Sequence, residues 1–134
     1  KKVEDISTSY GQTCVITDNG EVWCWGRYYW GQEHDYHSYG TAEHIEINSS
    51  LEAVTISIAM NGADTAACAV MNDSSGYCWG NNYHRQLNFQ QGVGTSTWNE
   101  PRKIDGGNEY KYIKVAGTAD RACAKIESNA AQRR

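Results

Sequence analysis

One pattern of cysteine, turn and tryptophan is written twice in this chain, and it limits the fold more than any other feature. The first copy runs from Gln12-Thr13-Cys14 through Asp18-Asn19-Gly20 to Trp23-Cys24-Trp25-Gly26; the second runs from Ala66-Ala67-Cys68 to Gly76-Tyr77-Cys78-Trp79-Gly80, 54 residues later. Cys123 follows Cys68 after a further 55 residues and begins a third copy. Self-similarity at such a period marks stacked supersecondary units, none of which buries its apolar surface alone. The chain therefore holds roughly two and a half units, with bounds near residues 3–53, 54–110 and 111–134 of a single repeat domain.

Each copy reads as a β-hairpin. A turn centred on Asn19, with Asp-Asn-Gly chemistry, puts Cys14, Ile16, Val22 and Cys24 on one face and Thr13, Val15, Trp23 and Trp25 on the other. The same register in the second copy sets Cys68, Val70, Gly76 and Cys78 against Ala67, Ala69, Tyr77 and Trp79. Both faces are apolar, so the hairpin belongs between two neighbours rather than on a solvated sandwich. One face is small and the other bulky, which lets the Trp side of one unit settle on the Cys side of the next. The expectation is an all-β fold of antiparallel hairpins forming the blades of an incomplete propeller, with a β-hairpin solenoid as the alternative.

At these residues the chain resembles the regulator of chromosome condensation repeat family. The shared features are the Cys, the turn, the Cys-Trp-Gly ending and a following Gly-Gln-Leu-Gly-like loop, here Gly26 to Gln32 and Gly80 to Leu87. An upstream strand is seen at Ile6-Ser7-Thr8-Ser9 and Ile113-Lys114-Val115-Ala116-Gly117. Arg85 and Glu33 depart from the loop pattern, and the segment from Ala59 to Ala66 is longer than its counterparts. The resemblance implies a propeller of about seven blades, on the order of 380 residues at this period, which this length does not close alone. The exchange and chromatin functions of the family's namesake do not follow from fold.

Val, Ile, Leu and Phe together make only 19 of 134 residues, a level that suits disorder unless something else fills the core. Five Trp and nine Tyr do so. Further support is expected from disulfides, since Cys14 faces Cys24 and Cys68 faces Cys78 in the hairpin register, each closing a loop worth about 2.5–3 kcal/mol. Four buried free thiols are the alternative. Bridges of this kind belong to oxidising compartments, so an extracellular or cell-surface location is expected. Asn48-Ser49-Ser50 and Asn72-Asp73-Ser74 are candidate glycosylation acceptors, in the connection between units and at the second hairpin tip.

Cys123 stands apart. Its partner position ten residues on is Arg133, and Asn129–Arg134 lacks a Trp-Gly ending. A fragment, a partly seen chain and a subunit completed by a neighbour all fit, and under the last Cys123 is a candidate intermolecular bridge beside an open strand edge. The absence of an initiator Met, Lys1-Lys2 and Arg133-Arg134 suit a processed chain.

Candidate chemistry elsewhere is slight. His34, Asp35, His37 and His44 are read as a polar loop, with His34 and His37 weak metal candidates and no cofactor expected. No arrangement of residues supports catalysis, so the expectation is not an enzyme. With 12 basic against 16 acidic residues and no basic run, nucleic acid is disfavoured as a partner, and no apolar stretch is long enough for a membrane span. Tyr28, Tyr29, Trp30, Tyr36 and Tyr39 cluster after the first Cys-Trp-Gly and are candidate anchors for another protein. The function expected is structural: self-association through blade faces and a free strand edge into an oligomer or filament. The alternative is a secreted protein-binding or inhibitory module.

Overall fold

The computed structural model describes residues 1–9, 11–28, 37–61, 64–80, 98–104, 110–117 and 122–128, with the backbone alone at 27–28, 37–40, 59–61, 64–65, 98–100, 110–117 and 122–128. Among them there is no helix. Blade one is a four-stranded antiparallel sheet of β1 (Val3–Ser9), β2 (Gln12–Thr17), β3 (Val22–Tyr28) and β4 (His37–Ile45), paired in chain order. Blade two repeats it with β5 (Ala53–Asn61), β6 (Asp64–Met71), β7 (Gly76–Gly80) and β8 (Trp98–Lys103). A third unit pairs β9 (Tyr110–Gly117) with β10 (Ala122–Ser128).

The central hairpins fall in the expected register. Cys14 faces Cys24 and Val15 faces Trp23 in blade one; Cys68 faces Cys78 and Ala67 faces Trp79 in blade two. The upstream strand is present in all three units, although in the third the register places Val115, not Ile113, in the position of Ile6, because Ala116 faces Cys123 as Ser7 faces Cys14. The fourth strand of each blade was not foreseen. β4 and β8 are polar, and β8 contains Pro101; only an edge strand, with no ladder partner on its outer side, accommodates such residues. Irregular pairing recurs at equivalent points, between Cys24 and Gly26 and between Cys78 and Gly80, so the Trp-Gly ending is a bulge site in both blades.

The blades stack face to face, with β5 lying across β1 and β2, and β9 across β5 and β6. The main core is the joint between blades one and two: Cys14, Ile16, Val22 and Cys24 meet Ile56, Ile58, Ala67, Ala69, Met71 and Trp79. Thus the small face of one blade takes the bulky face of the next. A second cluster of Ala66, Cys68, Val70, Cys78 and Ile104 lies on the opposite side of blade two. Both foreseen disulfides are formed, Cys14–Cys24 and Cys68–Cys78, each with Cα atoms 4.1 Å apart.

The turn of the first hairpin fixes how the chain enters blade two. Gly20 has φ of +77°, and its carbonyl accepts the N–H of Ala53 at 2.9 Å. A Cβ there would stand 2.3 Å from that of Glu52, so no other residue fits without a shift. The tips of both hairpins tie back alike: Asp18 N–H donates to the Lys2 carbonyl and Asn72 N–H to that of Glu52, both at 2.8 Å.

Candidate protein-interaction surface

Blade one offers the surface that blade two hides. β2 and β3 alternate, so that Cys14, Ile16, Val22 and Cys24 enter the joint and Thr13, Val15, Trp23 and Trp25 face away from it. Val15 is buried within its own sheet, but Trp23 and Trp25 are only half-buried. Beside them on β1, Ile6 is 58% exposed, since it lies opposite Val15 on the same face. Trp79 occupies in blade two the place of Trp25 and is 1% exposed, covered by the Cys face of blade one. Tyr77 corresponds to Trp23; it is half-buried, and its hydroxyl accepts from Asn48 Nδ2 at 3.1 Å.

The rim of the outer face is charged and ordered. Trp23 Nε1–H donates to Glu21 Oε2 at 3.0 Å, and its ring packs against His44, with centroids 5.1 Å apart. Lys1 places its ammonium 5.6 Å from the Trp23 ring centre and 2.5 Å from Glu21 Oε2. Hydrogen bonds from Lys1 and then Trp23 pull the Glu21 carboxyl down to about 2. Trp23 is thereby held in one orientation, which lowers the entropy cost of using it as a contact.

A groove of about 300 Å³ opens where the turn of blade one meets the connection into blade two. Glu21, His44, Glu46 and Glu52 are on its walls, with Leu51 and Met71 among its apolar residues. Sequence reading missed it, because a groove between the 19–22 turn and the 44–52 connection exists only once β4 is recognised as a strand.

His37 and His44 are not in a loop, as the sequence reading had them, but on β4, opposite Tyr28 and Trp23. Seven residues of strand separate them by roughly 23 Å, so they do not share an ion; a polar segment reads as a loop in the sequence because edge strands do not need apolar alternation. Among the described residues no group of three His, Cys, Asp or Glu is placed to hold a metal. Tyr28 and Tyr39 lie on β3 and β4, whereas Tyr29, Trp30, His34, Asp35 and Tyr36 are outside the described residues, as are Arg85 and Arg133. Asn48 uses both ends of its amide, donating to Tyr77 and accepting the Ser50 N–H at 3.0 Å. Asn72 is exposed at the hairpin tip, its Oδ1 accepting the Glu52 N–H at 3.2 Å. Cys123 stands on β10 in the register of Cys14 and Cys68. No helix among the described residues is long and apolar enough to cross a membrane.

Residues 3–27, the first three strands of blade one, match the regulator of chromosome condensation (RCC1) repeat. Among curated proteins none matches the chain in sequence. Solved structures share its fold. Human WBSCR16 superposes with a TM-score of 0.63 at 19% identity, over 85% of this chain and 28% of that one. Prp20p from Saccharomyces cerevisiae gives 0.65 at 13% identity, over 97% of this chain and 32% of that one. Yeast RCC1 (Prp20) bound to Kap60 gives 0.57 at 15% identity over the same shares, 97% and 32%. The chain thus spans about a third of the propellers it resembles. The blades are of RCC1 propeller type, and the described strands close no barrel.

Proposed function

We propose that this chain is a protein-interaction module of RCC1-type blades, and that it associates with copies of itself through the outer face of blade one, outside the cell or at its surface. One observation carries the reading. Trp79 lies covered beneath a neighbouring blade, while Trp23 and Trp25, on the equivalent face of blade one, are half-buried. Rigid aromatic rings at the centre of a face are the usual anchors of protein interfaces. The two buried disulfides favour an oxidising compartment. Protein binding is also what the similar structures record: Prp20p was solved with its binding properties to Gsp1p and histones, and with Kap60 bound. The reading assigns no catalysis to the chain.

The native, unreduced mass measured by sedimentation over a thousandfold range of concentration tests it. Multiples of 15.0 kDa are expected as concentration rises, and Trp25→Glu is expected to return the chain to monomer. A monomer throughout that instead forms a one-to-one complex with another protein would select the secreted binding or inhibitory module, in which the same face or the strand ends at Tyr28 and Tyr39 meet a foreign surface.

A further inference from the structure

The joint between blades one and two is closed at its edge by two hydrogen bonds from strand backbone to side chain. The N–H of Ile56 donates to Asp5 Oδ2 and that of Ile58 to Ser7 Oγ, each at 3.0 Å. β5 is the edge of its sheet, so these N–H groups have no strand beside them, and both residues are buried. A buried N–H without an acceptor costs about 1–3 kcal/mol. A blade that settles on a Cys face therefore needs two acceptors, two residues apart, from the first strand of the blade beneath it.

Strand register identifies the equivalent positions. Asp5 and Ser7 lie opposite Ile16 and Cys14; Thr55 and Ser57 lie opposite Val70 and Cys68. Thr and Ser retain acceptors, and β9 packs across their strand as β5 packs across β1. In the third unit the positions opposite Lys125 and Cys123 are Lys114 and Ala116. Neither residue type has a side-chain acceptor. The outer side of blade one makes no such demand at its first position, since the N–H of Ile6, the counterpart of Ile56, is already taken by Asp5 Oδ1 at 3.0 Å.

We infer that Asp5 and Ser7 are the register key of the blade joint, and that Lys114 and Ala116 withhold the key from any blade that would follow the third unit. On the self-association reading above, stacking the third unit on blade one would set the N–H of Thr8, the counterpart of Ile58, against Ala116, which has no acceptor, so copies meet blade one on blade one. Such a contact uses the same patch twice and closes at two. The rim suits it, because Lys1 and Glu21 put both signs of charge beside the Trp23 face, and a two-fold axis sets each against its opposite on the other copy.

The test compares the native mass of the wild type with that of Lys114→Asp/Ala116→Ser, which supplies the missing acceptors. The wild type is expected to stop at twice 15.0 kDa, and the double variant to grow beyond it, with at least a tenfold gain in species larger than dimers. A wild type that forms trimers or an open ladder overturns the inference and leaves self-association standing. A wild type that is monomeric throughout ends the self-association reading, and the key is then judged on the double variant alone: new association upholds it, and none overturns it. A second readout stays within one copy. Asp5→Ala/Ser7→Ala is expected to speed amide exchange at Ile56 and Ile58 at least tenfold with β2–β3 amides unchanged; unchanged exchange at those two sites overturns the key.

Discussion

Blades one and two share their register, their disulfide and their bulges, yet they spend their aromatic residues differently. In blade two, Trp79 is covered by the Cys face of its neighbour, and its own Cys face lies beneath β9. Among the described residues blade one has the covering on one side only, and its other side holds Trp23 and Trp25 half-buried among Lys1, Glu21 and His44. The same hairpin thus acts as core in one place and as surface in the other. What decides between them is position in the stack, since the residue types at the paired positions are nearly the same.

The largest effect expected from that difference is at the tryptophans. Trp79→Ala removes a fully buried ring from the joint and is expected to cost about 3–5 kcal/mol, read as a fall in the urea midpoint. Trp25→Ala, made in the monomer at low concentration, is expected to cost under about 1.5 kcal/mol, because a half-exposed ring returns less area to water. Equal costs would mean that blade one is covered as fully as blade two, and the comparison would fail.

Much of this was legible because the repeat carried it. Cys14 with Cys24, and Cys68 with Cys78, announced the register of both hairpins, and the small and bulky faces followed from alternation about Asn19 and Asp73. The stacking of Cys face on Trp face came from the same alternation. What stayed hidden was whatever rests on pairing rather than on hydrophobic pattern. β4 and β8 are edge strands with polar sequence, so His37 and His44 read as loop, and the groove that His44 helps to line was missed as well. In the sequence Ser7 reads only as a strand residue and Asp5 carries no signal; their role appears when a strand 51 residues away brings its N–H groups within reach. A single sequence offers no signal for such a bond beyond a polar residue where the alternation points inward.

A smaller effect lies at the hairpin tips. Gly20 and Ser74 occupy the same turn position and both have positive φ, +77° and +68°. Glycine takes that conformation without strain; an L-residue gives up about 1–2 kcal/mol. Gly20→Ala is therefore expected to cost at least about 2 kcal/mol, since the added Cβ also meets Glu52. Ser74→Gly is expected to raise stability by up to about 1 kcal/mol. Denaturation of the two single variants sharpens the comparison: opposite signs show that blade two keeps a strained turn that blade one has relieved, and matching signs refute it.

The smallest effect is confined to the exposed rim. Glu21 has its folded pKa lowered to about 2 by Lys1 and Trp23, so its contribution is present in full above the ordinary carboxylate range and is lost as pH falls from there toward 2. Because the group is exposed, salt screens the Lys1 contact and the gain in global stability is slight. The local consequence is larger than the global one. Losing the carboxylate frees the Trp23 indole N–H and the Lys1 ammonium together, so Trp23 emission is expected to shift between about pH 4 and 2 while Trp79, buried in the joint, does not follow. Glu21→Gln is expected to abolish the shift, and its persistence in that variant would place the titrating group elsewhere. At the equivalent place in blade two the uncharged amide of Asn48 meets Tyr77, where in blade one the Glu21 carboxylate meets Trp23.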